Sequence, residues 1–250
     1  MSGLTIYMEG GGDSKDQKAQ LRQGMSRFLA PLKDKASAQN WKWKLTLCGG
    51  RQAAYEAFLN ARRRPAGDEL IVLLVDSEAP VTAATRAAHL RDRPGDGWDL
   101  TGVPEANIHL MVQAMEAWVV ADPDALAIYY GQKFLRNALP TRTNLEEEPK
   151  IDCVKKLSAA TRPTQKGEYQ KIRHASDLLA LISSEKVRAR CPHAETMFST
   201  LSSLIASRVG RNSVFRLLCR SHRWRNSLRY CALRCLAPSD VRWPVAWHCL

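Results

Sequence analysis

Residues 4–9 alternate, with Leu4, Ile6 and Met8 against Thr5, Tyr7 and Glu9, and this period of two predicts a strand. Gly10-Gly11-Gly12 ends it, and Asp13 or Ser14 is placed to cap the following helix. That helix is predicted over 16–36, with Leu21, Met25, Phe28, Leu29 and Leu32 on one face. Alternation returns over 41–48 and predicts a second strand, broken by Gly49-Gly50. Ala54, Tyr55, Phe58 and Leu59 then mark a helix over 51–63. Residues 70–75 form an unbroken apolar run that stops at Asp76-Ser77-Glu78, as expected of a central strand covered on both faces. A short helix over 81–90, a Gly-, Pro- and Asp-rich loop over 91–104 and a fourth strand over 107–112 come next. Helices follow over 115–120 and 124–135, and after a polar, loose stretch at 141–149 come three more, over 150–158, 176–184 and 192–205. There is no internal repeat. Strands alternating with helices predict an α/β fold: a mainly parallel sheet with flanking helices and a helical C-terminal part.

Composition changes this picture mainly at the end of the chain. Of 250 residues 45% are hydrophobic and 25% charged, which excludes wholesale disorder and a small disulfide scaffold. No apolar run approaches the roughly 18 residues of a membrane span, and the start has no basic segment leading into an apolar core, so the expected compartment is the cytoplasm, with no membrane partner. The net charge of +12 points to an anionic partner, but it is unevenly distributed. Residues 207–250 carry nine Arg, no Lys and one acid, a net +8, leaving +4 on residues 1–206. The same tail holds Cys219, Cys231, Cys235 and Cys249, and Trp224, Trp243 and Trp247. Three readings fit it: an arginine arm for nucleic acid, a metal knuckle lacking a second close cysteine pair, or a poorly ordered segment foreign to the fold. The expected organisation is therefore a catalytic domain over 1–206 and an atypical tail over 207–250. Cys48, Cys153 and Cys191 lie far apart and read as reduced, mostly buried thiols.

Ligands of parallel sheets bind at the carboxyl ends of the strands, and acids stand there. Glu9 ends the first strand, Asp76 and Glu78 the central one; Glu116 follows the fourth strand and Asp122 comes six residues later. Two residues apart in extended backbone, Asp76 and Glu78 point the same way. Clustered carboxylates repel unless a cation neutralises them, and an oxygen-only ligand set suits Mg²⁺ or Mn²⁺. Singly, each acid also has a plain structural reading: a solvated strand end for Glu9, a turn cap for Asp76, a surface charge for Glu78, the wet face of a helix for Glu116. The three glycines lack both the Lys-Ser/Thr of a P-loop and the spacing of a dinucleotide motif.

Met8-Glu9-Gly10 with Asp13, Leu74-Val75-Asp76-Ser77-Glu78, and Met111-Val112-Gln113-Ala114-Met115-Glu116-Ala117-Trp118 with Ala121-Asp122 resemble a bacterial family of unknown function, domain-of-unknown-function family 4276, with a Toprim-like core. Strand-Glu-Gly followed by a strand ending Asp-x-Asp/Glu also resembles the Toprim domains of topoisomerases, primases and overcoming-lysogenization-defect nucleases. The resemblance covers about residues 1–205. It implies a Toprim-like, Rossmann-like fold and a Mg²⁺- or Mn²⁺-dependent nuclease site for DNA or RNA. Glu9, Asp76, Glu78 and Glu116 would be catalytic, and Asp13 and Asp122 would be further metal ligands. Glu78 stands where the Toprim motif has its second Asp, a departure in ligand length. Residues 164–174 also resemble the family, which implies a phosphate groove at Lys166, Tyr169, Lys171 and His174; the plain reading is a solvated loop. As a partner, the resemblance implies an ABC- or AAA-type ATPase encoded nearby in an anti-phage defence cassette. The alternative function is a non-catalytic Toprim-like module that binds such an ATPase or nucleic acid, and a primase-type nucleotidyl transferase ranks third. Trp118 is expected to be buried against the sheet, holding the helix that positions Glu116.

Overall fold

The computed structural model describes residues 2–12, 14–65 and 67–221, with 208–221 as backbone alone. Its four strands are β1 (Gly3–Met8), β2 (Lys42–Leu47), β3 (Glu69–Asp76) and β4 (Ile108–Met111). They form one parallel sheet in the order β2-β1-β3-β4, an α/β Rossmann-like fold as the alternation of elements predicts. Strand side chains alternate between faces, and the two faces of β3 enter separate cores. Leu70, Val72 and Leu74 join Leu4, Ile6 and Met8 against the helices of one side. Ile71, Leu73 and Val75 pack with Ala54, Phe58, Leu90 and Trp98 on the other. Coverage on both faces is why β3 reads as an unbroken apolar run, whereas edge strand β2 keeps Lys42 and Lys44 exposed.

The helices are α1 (Lys15–Phe28), α2 (Ala30–Ala38), α3 (Arg51–Arg63), α4 (Arg86–Asp92), α5 (Glu116–Val120), α6 (Pro123–Tyr130), α7 (Lys150–Thr161), α8 (Lys171–Leu181), α9 (Ser184–Arg190) and α10 (Pro192–Ser221). The single helix expected over 16–36 is two. The chain turns at Leu29, and Pro31, which has no N–H to continue α1, sits in the first turn of α2. Helix α8 starts five residues before the predicted 176, and α9, capped by Ser183, was not predicted. The stretch 141–149 is not loose: Leu145, Glu146 and Glu148 are buried, Glu148 between Arg142 and Lys156, while Glu146 accepts the His193 N–H at the start of α10. Trp118 is fully buried, as expected, and stacks on Phe28 of α1 at 5.0 Å. Cys153 and Cys191 are buried and Cys48 is half-buried, all as free thiols. Among the described residues no helix is long and apolar enough to cross a membrane.

The chain divides into two compact units, Met1–Arg211 and Asn212–Leu250. Sheet, cores and acids belong to the first. Of the second, the described part is helical backbone to Ser221. The expectation of a poorly ordered tail falls largely on residues 222–250, outside the described residues.

Candidate metal centre

The order β2-β1-β3-β4 means that the chain leaves β1 on one side and returns to its other side for β3. The crevice between the carboxyl ends of β1 and β3 is therefore the topological switch point, where α/β sheets bind ligands. The register sets Met8 beside Leu74, so Glu9 and Asp76 emerge together there. One carboxylate oxygen each from Glu9, Asp76 and Glu78 lies within 4.8 Å of the others. A cavity of about 240 Å³ opens over them, lined also by Gly10, Gly49, Met111, Met115 and Lys171.

Each acid is held differently. Glu9 accepts the backbone N–H of Asp76 at 2.8 Å, which locks the end of β1 to the end of β3. The Arg51 guanidinium, at the first position of α3, stands 3.4 Å from Glu9, donates to the Asp76 carbonyl at 2.6 Å and forks onto Asp96 with two bonds of 2.7 Å. It also lies over the Trp98 ring, 4.9 Å from its centroid. With every face occupied, Arg51 serves as a clamp rather than as a free anion-binding cation. Asp76 is buried; its Oδ1 accepts the Met115 N–H at 2.9 Å and its Oδ2 faces Lys171 Nζ at 3.2 Å. Burial raises its pKa to about 7, with the Glu9 and Glu116 charges adding to the rise and Lys171 opposing it.

Glu78 corrects the reasoning by which it was found. Its φ is +64°, so the chain leaves extended geometry before it, and the parity of positions 76 and 78 does not bring the two carboxylates together. A left-handed turn does, fixed by the Glu78 N–H donating 2.7 Å to the Gln113 carbonyl. A non-glycine residue in this region costs about 1–2 kcal/mol, borne here at the site itself. Lys150, at the start of α7, pairs with the Glu78 carboxylate.

The remaining candidates separate. Glu116 is not in the three-acid cluster; it is buried behind it, accepts the Tyr169 hydroxyl at 3.2 Å and shares Lys171 at 3.6 Å. Asp122 is a structural cap: it accepts N–H groups of Ala125 in α6 and Ser183 before α9, and pairs with Lys186 at 2.7 Å. Asp13 lies outside the described residues. The expected phosphate groove is not assembled as one surface. His174 is buried with its Nδ1 facing the Tyr130 hydroxyl at 3.0 Å, Lys166 lies over the Tyr129 ring, and Lys171 turns to the acids. Burial alone would lower the Lys171 pKa, but Asp76, Glu116 and Glu9 outweigh it and raise it.

Sequence reasoning missed Arg51, Asp96 and Lys150. Arg51 had a signal: it follows the glycine break after β2, where a parallel strand hands over to its helix. Asp96 in a loop and Lys150 at a helix start had none.

A family model described as Domain of unknown function (DUF4276) matches residues 8–202. The chain belongs to that family. No curated protein and no solved structure matches it. The span matched to DUF4276 contains all three acids of the cluster together with Arg51, Glu116, Lys150 and Lys171, and it ends before the arginine-rich tail begins.

The donor set fits a hard divalent cation. It is all carboxylate oxygen, and opposite ligands of a Mg²⁺-sized ion stand about 4 Å apart, within the reach of this cluster. Like charges at about 5 Å repel by roughly 3–4 kcal/mol per pair at an effective dielectric near 20, so the three acids gain from a shared cation.

Proposed function

We propose that this protein is a metal-dependent phosphodiesterase of nucleic acid, with Glu9, Asp76 and Glu78 holding Mg²⁺ or Mn²⁺. The observation that carries the reading is the convergence of three carboxylates on the sheet's switch point, beneath one cavity and beside Lys171. The net charge of +12, of which residues 1–206 carry +4, has the sign a polyphosphate partner needs, and the Toprim-like order of the acid motifs supports the same class. A bound ion of this kind supplies an activated water and neutralises charge on the phosphoryl oxygens.

The chain's own groups do the rest. Arg51 and the Asp76 N–H hold Glu9 rigidly at the strand end. The Met115 N–H orients Asp76, leaving Oδ2 toward the cavity side where Lys171 stands. Lys171 and Lys150 are partly exposed, so either ammonium can face a phosphate oxygen brought to its acid. Glu116, held by the Tyr169 hydroxyl, stands 3.6 Å from Lys171 behind the cluster.

One observation favours a second reading, a non-catalytic module: each acid already faces a cation of the chain, Arg51 for Glu9, Lys171 for Asp76 and Lys150 for Glu78. Calorimetric titration with Mn²⁺ and cleavage assays on single- and double-stranded DNA and RNA separate the two. Saturable Mn²⁺ binding with metal-dependent cleavage supports the phosphodiesterase; absence of both leaves the module.

A further inference from the structure

The acid cavity has a neighbour of different chemistry. A second cavity, of about 190 Å³, shares Gly10, Leu21, Met115 and Lys171 with the first, so the two lie side by side with Lys171 at their junction. Its walls are chiefly apolar: Leu21 and Met115 from the shared side, Ile172 and Ala175 from α8. Gln17 and Ser176 add an amide and a hydroxyl. The remaining wall is backbone, because Gly10, Gly11 and Gly12 run at φ of +111°, +81° and +56°. A Cβ on Gly11 would stand 2.8 Å from the Lys18 Cα, so this close path against α1 requires glycine. Ile172 is 70% exposed at the cavity, an apolar side chain left open to solvent beside a charged site.

A ligand spanning both cavities presents an anion toward Lys171 and a mostly apolar group with a polar edge to the other cavity. Pockets for drug-sized ligands begin near 300 Å³, so a cavity of about 190 Å³ takes one ring system and not a stacked pair of bases. We infer that the second cavity is a nucleobase subsite, and that the phosphodiester is taken from an unpaired nucleotide whose base enters beside Ile172 and Gln17. The inference rests on the phosphodiesterase reading for the role of the phosphate, while the base pocket itself is tested independently of metal. An unpaired base is available in a single strand or by extrusion from a duplex.

The test compares the four ribonucleoside 5′-monophosphates with ribose 5-phosphate by calorimetry, with Mn²⁺ and again in EDTA. All carry the same phosphate, so the ratio of affinities isolates the base. The tightest nucleotide is expected to bind at least about tenfold better than ribose 5-phosphate in both conditions. Ile172→Ser and Gln17→Ala are each expected to cut that ratio at least about threefold while leaving Mn²⁺ affinity unchanged. Ile172 is exposed in the first turn of α8, where a serine removes no core contact, so its variant folds. Nucleotides that bind no better than ribose 5-phosphate would overturn the subsite, as would a preference that survives both substitutions. Failure of wild-type Mn²⁺ binding defeats the metal reading instead, and the EDTA arm still decides the base pocket.

Discussion

Replacing Asp76 by asparagine separates the metal role of this side chain from its structural role. The amide would keep the shape and the oxygen that accepts the Met115 N–H at 2.9 Å. It would lose the ion pair with Lys171 at 3.2 Å, and with it the burial of a carboxylate crowded by Glu9 and Glu116. Breaking a buried pair costs about 3–5 kcal/mol when the partner is stranded. Lys171 is not stranded: its side chain is half exposed and Glu116 remains 3.6 Å away. The loss and the relief of crowding oppose each other, so metal-free stability should change by no more than about 2 kcal/mol. With metal the two proteins diverge. At a Mn²⁺ concentration of about 100 Kd the wild type gains about 2.7 kcal/mol, which at about 2–4 °C per kcal/mol raises Tm by roughly 5–11 °C. Removing a carboxylate ligand weakens affinity at least about 100-fold, so the same Mn²⁺ concentration gives the variant only about 0.4 kcal/mol, roughly 1–2 °C. Scanning calorimetry of both proteins, with and without Mn²⁺, reads all four values, and a nuclease assay reads the consequence. An Asp76→Asn protein with the full Mn²⁺ shift and undiminished cleavage would refute both the ligand assignment and the mechanism built on it.

Four further outcomes are expected. Because the Asp76 pKa is raised to about 7, protons compete with metal below that pH: Mn²⁺ affinity should climb up to about tenfold per unit toward pH 7 and then level, and a flat profile would contradict it. The same shift means that the folded chain keeps this proton longer than the unfolded one, so the Asp76 contribution to metal-free stability should fall as pH rises from about 4 to about 7 and not above, measured as Tm against pH relative to Asp76→Asn. Trp118→Ala should cost about 3–5 kcal/mol in urea denaturation, since the ring is fully buried and stacked on Phe28; a near-native midpoint would remove it from the core. Gly24→Ala should destabilise by about 1–3 kcal/mol, although alanine favours helices by about 1 kcal/mol, because its Cβ would overlap the Ser176 carbonyl oxygen. A stabilised Gly24→Ala protein would show that α1 and α8 are not packed as described.

The sheet was legible because its signals are local. Period two in residues 41–48 and the unbroken run at 70–75 each state how many faces of a strand are covered, and the observed burial of β2 and β3 follows them; β1, an inner strand, is buried on both faces despite the alternation of residues 4–9. Helix boundaries were read less well where the deciding partner is distant. No capping side chain marks the start of α8; there the Gln170 N–H donates to His174 Nδ1 at 3.2 Å, and Lys171 pairs with acids that precede it by 95 and 55 positions. The 141–149 stretch looked loose because its three consecutive glutamates suggest solvent, yet two of them are buried, each paired with residues on other elements.

The acids of the site could be found because strand ends in a parallel sheet converge wherever the helices go, so Glu9 and Asp76 needed only the strand assignment. The cations could not, because they arrive from helices whose packing the sequence does not announce. Lys171 reaches Asp76 only because α8 lies against α1, and that approach has one conspicuous cause. Gly24 sits inside α1, where its lack of a side chain weakens the helix, and the Ser176 backbone occupies the space a Cβ would take. A lone glycine in an otherwise regular amphipathic helix is a signal of close approach, readable in principle, but it names no partner. The partner is the helix that carries Lys171 to one cavity and Ile172 to the next. The same notch therefore sets the distance between the site's cation and its acids, and the width of the apolar cavity beside them. A change at Gly24 that leaves the protein folded should be felt in nucleotide binding before it is felt in the sheet.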